Sequence, residues 1–301
     1  MTGDPFPAPP AGGQSHVERP PVPALRPLVS SVSVQQVGPD APPYVHRRIP
    51  LGAVELVCPV GAAPRVIGPL TAPLVEVLAP GTTVVGVRFA PGAFPAVAGL
   101  PAAELVGIEV DAEQLWGRPA AALGRAVAAA ASPQQALAAL QGRVRAHAGG
   151  PPDPLVSAAV RGLRPGQAAE VAVLSASLHI SETQLRRRFR AAVGLGPKAV
   201  HRILRFQGFL ALVQRAIAQG RPAGDDGLGL LALRAGYADQ PHLTRECVRL
   251  TGVTPRVFLA ETHRRCGADH DHSASYVPLL PVRAPGWTGG DEFRRPVPSH
   301  P

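Results

Sequence analysis

The sequence predicts an α+β chain of separate parts: a small β-rich N-terminal domain, an Ala-rich helical connector, and an all-α C-terminal domain in which two helix-turn-helix units are joined by a long helix. Three observations predict it. Short apolar runs broken by Pro and Gly fill residues 28–115, an Ala-rich texture begins abruptly at 119, and one basic helix occurs twice. Laid over each other at an offset of 58, "SETQLRRRFRAAVGLGP" and "DQPHLTRECVRLTGVTP" match Leu185 to Leu243, Arg187 to Arg245, Gly194 to Gly252 and Pro197 to Pro255, with Ser181 and Asp239 as paired caps.

Residues 1–25 are Pro-rich, with seven prolines between Met1 and Pro23, and read as a disordered tail, as do residues 266–301. The first residues have neither the apolar nor the basic region of a signal peptide, and no run approaches the roughly 18 apolar residues of a membrane span. The expectation is a cytoplasmic chain with no membrane partner. Cys58, Cys247 and Cys266 form no CxxC pair and leave one thiol over in any disulfide scheme, which fits a reducing compartment.

Residues 26–118 carry "LVSSVSVQQV", "RRIPLGAVELVCPV", "RVIGPL", "LVEVLAP" and "TTVVGVRFAPGAF". Val and Ile enrichment with turn signals every few residues predicts strands and a sensing or dimerisation domain. Residues 119–152 hold two Ala-rich helices broken at Ser132-Pro133, where Ser caps and Pro opens the second helix. Leu137, Leu140 and Val144 share one face of that helix, and "GGPPDP" is a linker.

Residues 153–265 read as all-helical and hold 17 of the 30 Lys and Arg but only 8 of the 21 acidic residues, so the whole net charge of +9 lies there and the remainder is neutral. A polyanionic partner fits that segment. In the first copy of the repeat Leu185, Phe189, Ala192 and Val193 form a buried stripe, which turns Thr183, Arg186, Arg187 and Arg190 outward. With "AAEVAVLSASL" as the preceding helix and a short turn between, the unit is a helix-turn-helix, whose second helix suits a DNA major groove, where Arg forks onto guanine. In the second copy Leu243, Cys247 and Leu250 point inward and Pro241, Thr244, Arg245 and Val248 outward. The helix from Pro197 to Gln219 would be a rod of about 34 Å, close to one turn of B-DNA. Double-stranded DNA is the expected partner, read in two successive grooves by helices near 181–193 and 239–251.

The pattern "GYADQPHLTRECVRLTGVTP", with the weaker "SETQLRRRFRAAVGLGPK", makes residues 165–260 resemble the AraC/XylS family of transcription regulators, whose DNA-binding domain is two helix-turn-helix units on a long helix. The resemblance implies base-facing positions at Thr183, Arg186 and Arg187 in the first unit and at Gln240, Pro241 and Arg245 in the second. Leu243 and Cys247 stand where the family has Phe, and the closing Arg is missing near Leu259. "VVGVRFAPGAFPAVAGLPAAEL" with "VDAEQLWG" is similar to a β-rich N-terminal domain of uncharacterised regulators of this family, implying sensing or dimerisation. RNA polymerase, a small-molecule effector and a second copy of the chain are left open as partners, as are activation or repression.

A non-sequence-specific nucleic-acid-binding protein explains the charge but not two spaced units. An enzyme in the N-terminal β-domain would need clustered His and carboxylate, and residues 28–115 offer only His46. His263, Cys266, His270 and His272 have zinc-ligand chemistry but lie in the tail, so no metal and no cofactor is expected. Cys247 reads as a small core hydrophobe, and Gly227-Leu228-Gly229 as the start of a helix.

Overall fold

The computed structural model describes residues 6–165, 170–218, 225–265, 270–272, 274 and 279. In chain order its elements are β1 (Gln14–Arg19), β2 (Val29–Val37), β3 (Tyr44–Arg48), β4 (Glu55–Pro59), β5 (Arg65–Ile67), β6 (Leu74–Leu78), β7 (Thr83–Phe89), α1 (Pro95–Ala98), β8 (Glu109–Asp111), α2 (Ala112–Trp116), α3 (Arg118–Ala128) and α4 (Pro133–His147). The helices α5 (Pro154–Gly162), α6 (Val171–Ser177), α7 (Glu182–Val193), α8 (Pro197–Ala218), α9 (Asp225–Arg234), α10 (Gln240–Thr251) and α11 (Pro255–Arg265) follow, and β9 (His270–Asp271) is the last element. The fold is α+β, with a β-rich front and an all-helical rear.

Seven strands form one sheet in the order β8-β5-β4-β7-β2-β1-β9, and β3 pairs with β6 as a separate antiparallel ribbon. All pairs in the large sheet are antiparallel except the parallel pairing of β9 with β1. Strand alternation gives the sheet two unlike faces. On one, Val17, Val32, Val34, Leu56, Cys58, Val85 and Val87 meet Leu123, Val127, Leu137, Leu140 and Val144 of α3 and α4 in a continuous core. The other face is apolar at one end, where Val37, Val57, Ile67 and Val84 lie under Leu78 of the ribbon. Across paired β1, β2, β7 and β4 the same face carries His16, Glu18, Ser33, Gln35, Arg88 and Glu55.

The expected disorder of the two tails is corrected here. Residues 14–25, read as part of a disordered tail, form the strand β1 and a 3-10 turn at Pro23–Leu25. The strand "QSHVER" has one strongly apolar residue, so hydropathy could not reveal it; its pairing with β2 from Gln14–Val37 to Arg19–Val32 holds it. Residues 119–147 form the expected Ala-rich helices, and their apolar stripe packs on the sheet. Ser132 does cap α4, accepting a hydrogen bond from the Gln135 amide. Of residues 266–301, read as disordered, His270 and Asp271 form β9; nearly all the rest, including Cys266, lies outside the described residues.

The rear helices share one core, in which Leu185, Phe189, Phe206, Phe209, Leu243 and Cys247 are fully buried. This core also touches the front. Gln207 of α8 donates to the Pro50 carbonyl at 3.4 Å, and Arg47 of β3 donates to the Thr251 carbonyl at 2.9 Å and pairs with Glu261 of α11 at 3.5 Å.

Candidate nucleic-acid interface and interdomain cavity

Two helix-turn-helix units follow from local chemistry. In the first, α6 ends at a turn in which His179 takes a left-handed φ of 54°, and Ser181 then accepts from the Gln184 amide to start α7. In the second, α9 ends near Ala235 and Asp239 accepts from the His242 amide to start α10, with Pro241 in its first turn. Both second helices, α7 and α10, end in a left-handed glycine, Gly194 at φ 84° and Gly252 at φ 79°. Cap, basic helix and glycine stop thus recur as the sequence repeat demands.

Thr183, Arg186, Arg187 and Arg190 on α7 are exposed, as are Gln240, Pro241 and Arg245 on or beside α10. Arg186 forms an ion pair with Glu182 one turn earlier at 2.6 Å. Thr244 is half-buried and its hydroxyl donates to the Gln240 carbonyl at 3.0 Å, so it leans on its own helix. Arg188 points elsewhere, to Asp153 at the cap of α5, 3.2 Å away. Between the units α8 runs for 22 residues, a rod of about 33 Å.

Sequence reasoning missed the polar supports of the second unit. Glu246 is buried and lies 3.8 Å from Arg202 of α8, which ties α10 to α8. Arg205 of α8 stacks on the buried Tyr237 ring at 4.6 Å, and burial pushes the phenol well above its usual range. Where the first unit has Phe189, the second has Cys247, whose sulfur lies 3.5 Å from Thr251 Oγ1 and 3.4 Å from the Val253 carbonyl; burial pushes this thiol up to about 11. A smaller core is closed there by hydrogen bonds rather than by a ring.

Residues 174–261 match the family described as a helix-turn-helix domain, and residues 17–111 match a domain of unknown function, DUF6597. The rear of the chain is an AraC-type helix-turn-helix domain. With this AraC-type domain the chain is a DNA-binding transcription regulator. None of the curated proteins matches it. Among solved structures it is similar to ToxT from Vibrio cholerae O395, at 8% identity and TM-score 0.40 over 82% of this chain and 96% of that one. Apo ToxT of strain SCE256, in a variant form, aligns at 12% identity and TM-score 0.42 over 76% and 96% of the two chains. ToxT bound to (E)-4-(8-methylnaphthalen-1-yl)but-3-enoic acid aligns at 8% and 0.41 over 82% and 98%. No helix among the described residues is long and apolar enough to cross a membrane.

In front of the AraC-type domain a cavity of about 170 Å³ lies between the polar face of the sheet and the helices α8 and α11. His16, Glu18, Gln35 and Arg88 line one side, and Gln207, Leu210, Phe258 and Thr262 the other. Burial would raise the Glu18 carboxyl, but the Arg88 charge and hydrogen bonds from His16 and His272 outweigh it and hold the group well below the usual range. For His16 burial dominates and lowers the imidazole. Sequence reading noted a lone His46 in residues 28–115; the fold adds His16 and His272 from what were taken as tails, with the His16 and His272 rings stacked at 4.8 Å.

Proposed function

We propose that the chain is a sequence-specific operator-binding regulator that lays α7 and α10 into successive major grooves of one DNA face. The observation that carries this reading is the exposure of Thr183, Arg186, Arg187 and Arg190 on one capped helix and of Gln240, Pro241 and Arg245 at the other, with α8 between them as a rod close to one DNA turn in length. Arg186 and Arg187 are assigned to base edges and Arg190, nearer the helix end, to phosphate. Arg245 is the principal reader of the second unit, since Pro241 has no donor and the Thr244 hydroxyl is engaged on its own helix. The cavity between sheet and α8 supports control by a small effector, because its lining joins the front domain to the rod carrying both units.

Selection of bound duplexes from random sequence with the full chain tests the proposal and supplies the operator. Arg187→Ala is expected to cost about 1–3 kcal/mol on that operator and to relax base choice locally, whereas Arg190→Ala weakens all duplexes alike and makes the salt slope shallower by about one. Arg245→Ala should blur its half-site less than Arg187→Ala blurs the other. Enrichment of no sequence, with affinity governed by salt alone, would favour a nucleic-acid-binding protein without sequence choice.

A further inference from the structure

We propose that His16, Glu18 and His272 form a binding site for a divalent metal ion of the zinc class. His16 and Glu18 lie on the same face of β1, two residues apart, and the parallel pairing of β9 with β1 brings the chain beyond α11 alongside them. His16 Nε2 is 3.2 Å and His272 Nδ1 is 3.5 Å from the same oxygen, Glu18 Oε1, and the three ligand atoms all lie within 4.8 Å of one another. Donor atoms held at about 2.0–2.2 Å from a tetrahedral zinc are about 3.4 Å apart, so two of the three edges already have the separation that coordination requires.

The ring of His16 is oriented for this role. Gln35 Nε2 donates to the Gln36 carbonyl at 3.4 Å and to Gln14 Oε1 at 3.2 Å, which fixes the amide so that its oxygen faces His16 Nδ1 at 3.0 Å. Gln35 thus holds the ring through Nδ1, which places Nε2 facing Glu18 Oε1 at 3.2 Å. A cation bound there would take the place of the hydrogen bond between His16 and Glu18, and a ligating imidazole anchored through its other nitrogen is the usual second layer of such sites. Two imidazoles and one carboxylate suit zinc-class ions rather than magnesium or calcium. Glu18 is 3% exposed, His16 13% and His272 21%, so the carboxylate is desolvated while His272 stands at the mouth of the cavity. Three protein ligands leave a fourth position for water or a donor from that cavity. Arg88 approaches the same Glu18 oxygen at 3.4 Å but also lies 3.1 Å from Glu55 Oε1, which gives it a second anion when the metal is bound.

The test is metal binding by the full chain in a Cys266→Ser background, which removes the tail thiol from the count. After chelator treatment, zinc is titrated against the protein and retained metal is measured per chain after gel filtration, with cobalt absorption as the spectroscopic check. One tightly held zinc per chain is expected, together with a rise in thermal midpoint on adding zinc. His272→Gln, which leaves both cores untouched, should weaken zinc by at least about tenfold and abolish the zinc-induced rise; Gln35→Ala should weaken it by about 10–100-fold by freeing the His16 ring. Zinc titrations unchanged by His272→Gln and His16→Gln, or no zinc retained by the parent chain, would overturn the proposal; in that case Glu18 serves only as counter-ion to Arg88 and the histidines.

Discussion

Replacing Gly194 by Ala probes how α7 is fastened to the front domain. Gly194 ends α7 at φ 84°, and a Cβ added there would stand 2.8 Å from Pro69 Cγ, 2.9 Å from the Ala102 carbonyl oxygen and 3.0 Å from Val106 Cγ2. Left-handed backbone costs an L-residue about 1–2 kcal/mol. Neither a proline ring nor a backbone carbonyl can swing away, so a further overpacking cost of about 1–3 kcal/mol follows, for a total of about 2–5 kcal/mol. Gly252 supplies an internal reference: it has the same role and a φ of 79°, but its added Cβ would meet nothing closer than Pro73 Cγ at 3.5 Å. Gly252→Ala should therefore cost only the backbone term of about 1–2 kcal/mol. Urea unfolding followed by far-ultraviolet circular dichroism measures both, provided the slope with denaturant is unchanged. Equal shifts in the two variants would refute the reasoning, because they would mean that the end of α7 is not packed on the 102–106 segment.

Other outcomes follow from the same packing. Phe189→Ala should destabilise by about 3–5 kcal/mol, since the ring is fully buried, whereas Cys247→Phe should cost about 1–3 kcal/mol by forcing a ring into a core built around sulfur. If that substitution instead stabilises the chain, the second unit has more room than its hydrogen bonds from Thr251 indicate. Burial pushes the Cys58 and Cys247 thiols up to about 11, so near pH 8 roughly one in a thousand is thiolate, and in a Cys266→Ser variant a thiol reagent should modify the native chain only as fast as it opens. Rapid labelling of either cysteine without denaturant would contradict their placement.

The two helix-turn-helix units were legible because everything that makes them is local. Caps at Ser181 and Asp239, stripes at helical spacing and glycine stops at Gly194 and Gly252 each act within a few residues, and the repeat doubled the signal. The exposure of Thr183, Arg186, Arg187, Arg190, Pro241 and Arg245 followed from the same periodicity, whereas Thr244, turned outward by it, is half-buried. Strands β2 and β7 could be read from their Val-rich runs, and α4 from Ser132 and its Leu137, Leu140 and Val144 stripe.

Only the tertiary structure decided where the front domain begins and ends. Strand β1 has a single Val on its apolar face and exists through its ladder with β2, and α3 and α4 are helices on any reading but become a layer of the sheet only by packing. The same holds for the polar face. His16, Gln35, Arg88 and Glu18 alternate along strands in a way that looks solvent-facing in sequence, yet α8 and α11 cover them, and His272 reaches Glu18 from the far end of the chain. Alternation says that two faces differ; which of them is buried, and against what, depends on contacts between residues distant in sequence, and no local pattern carries that information.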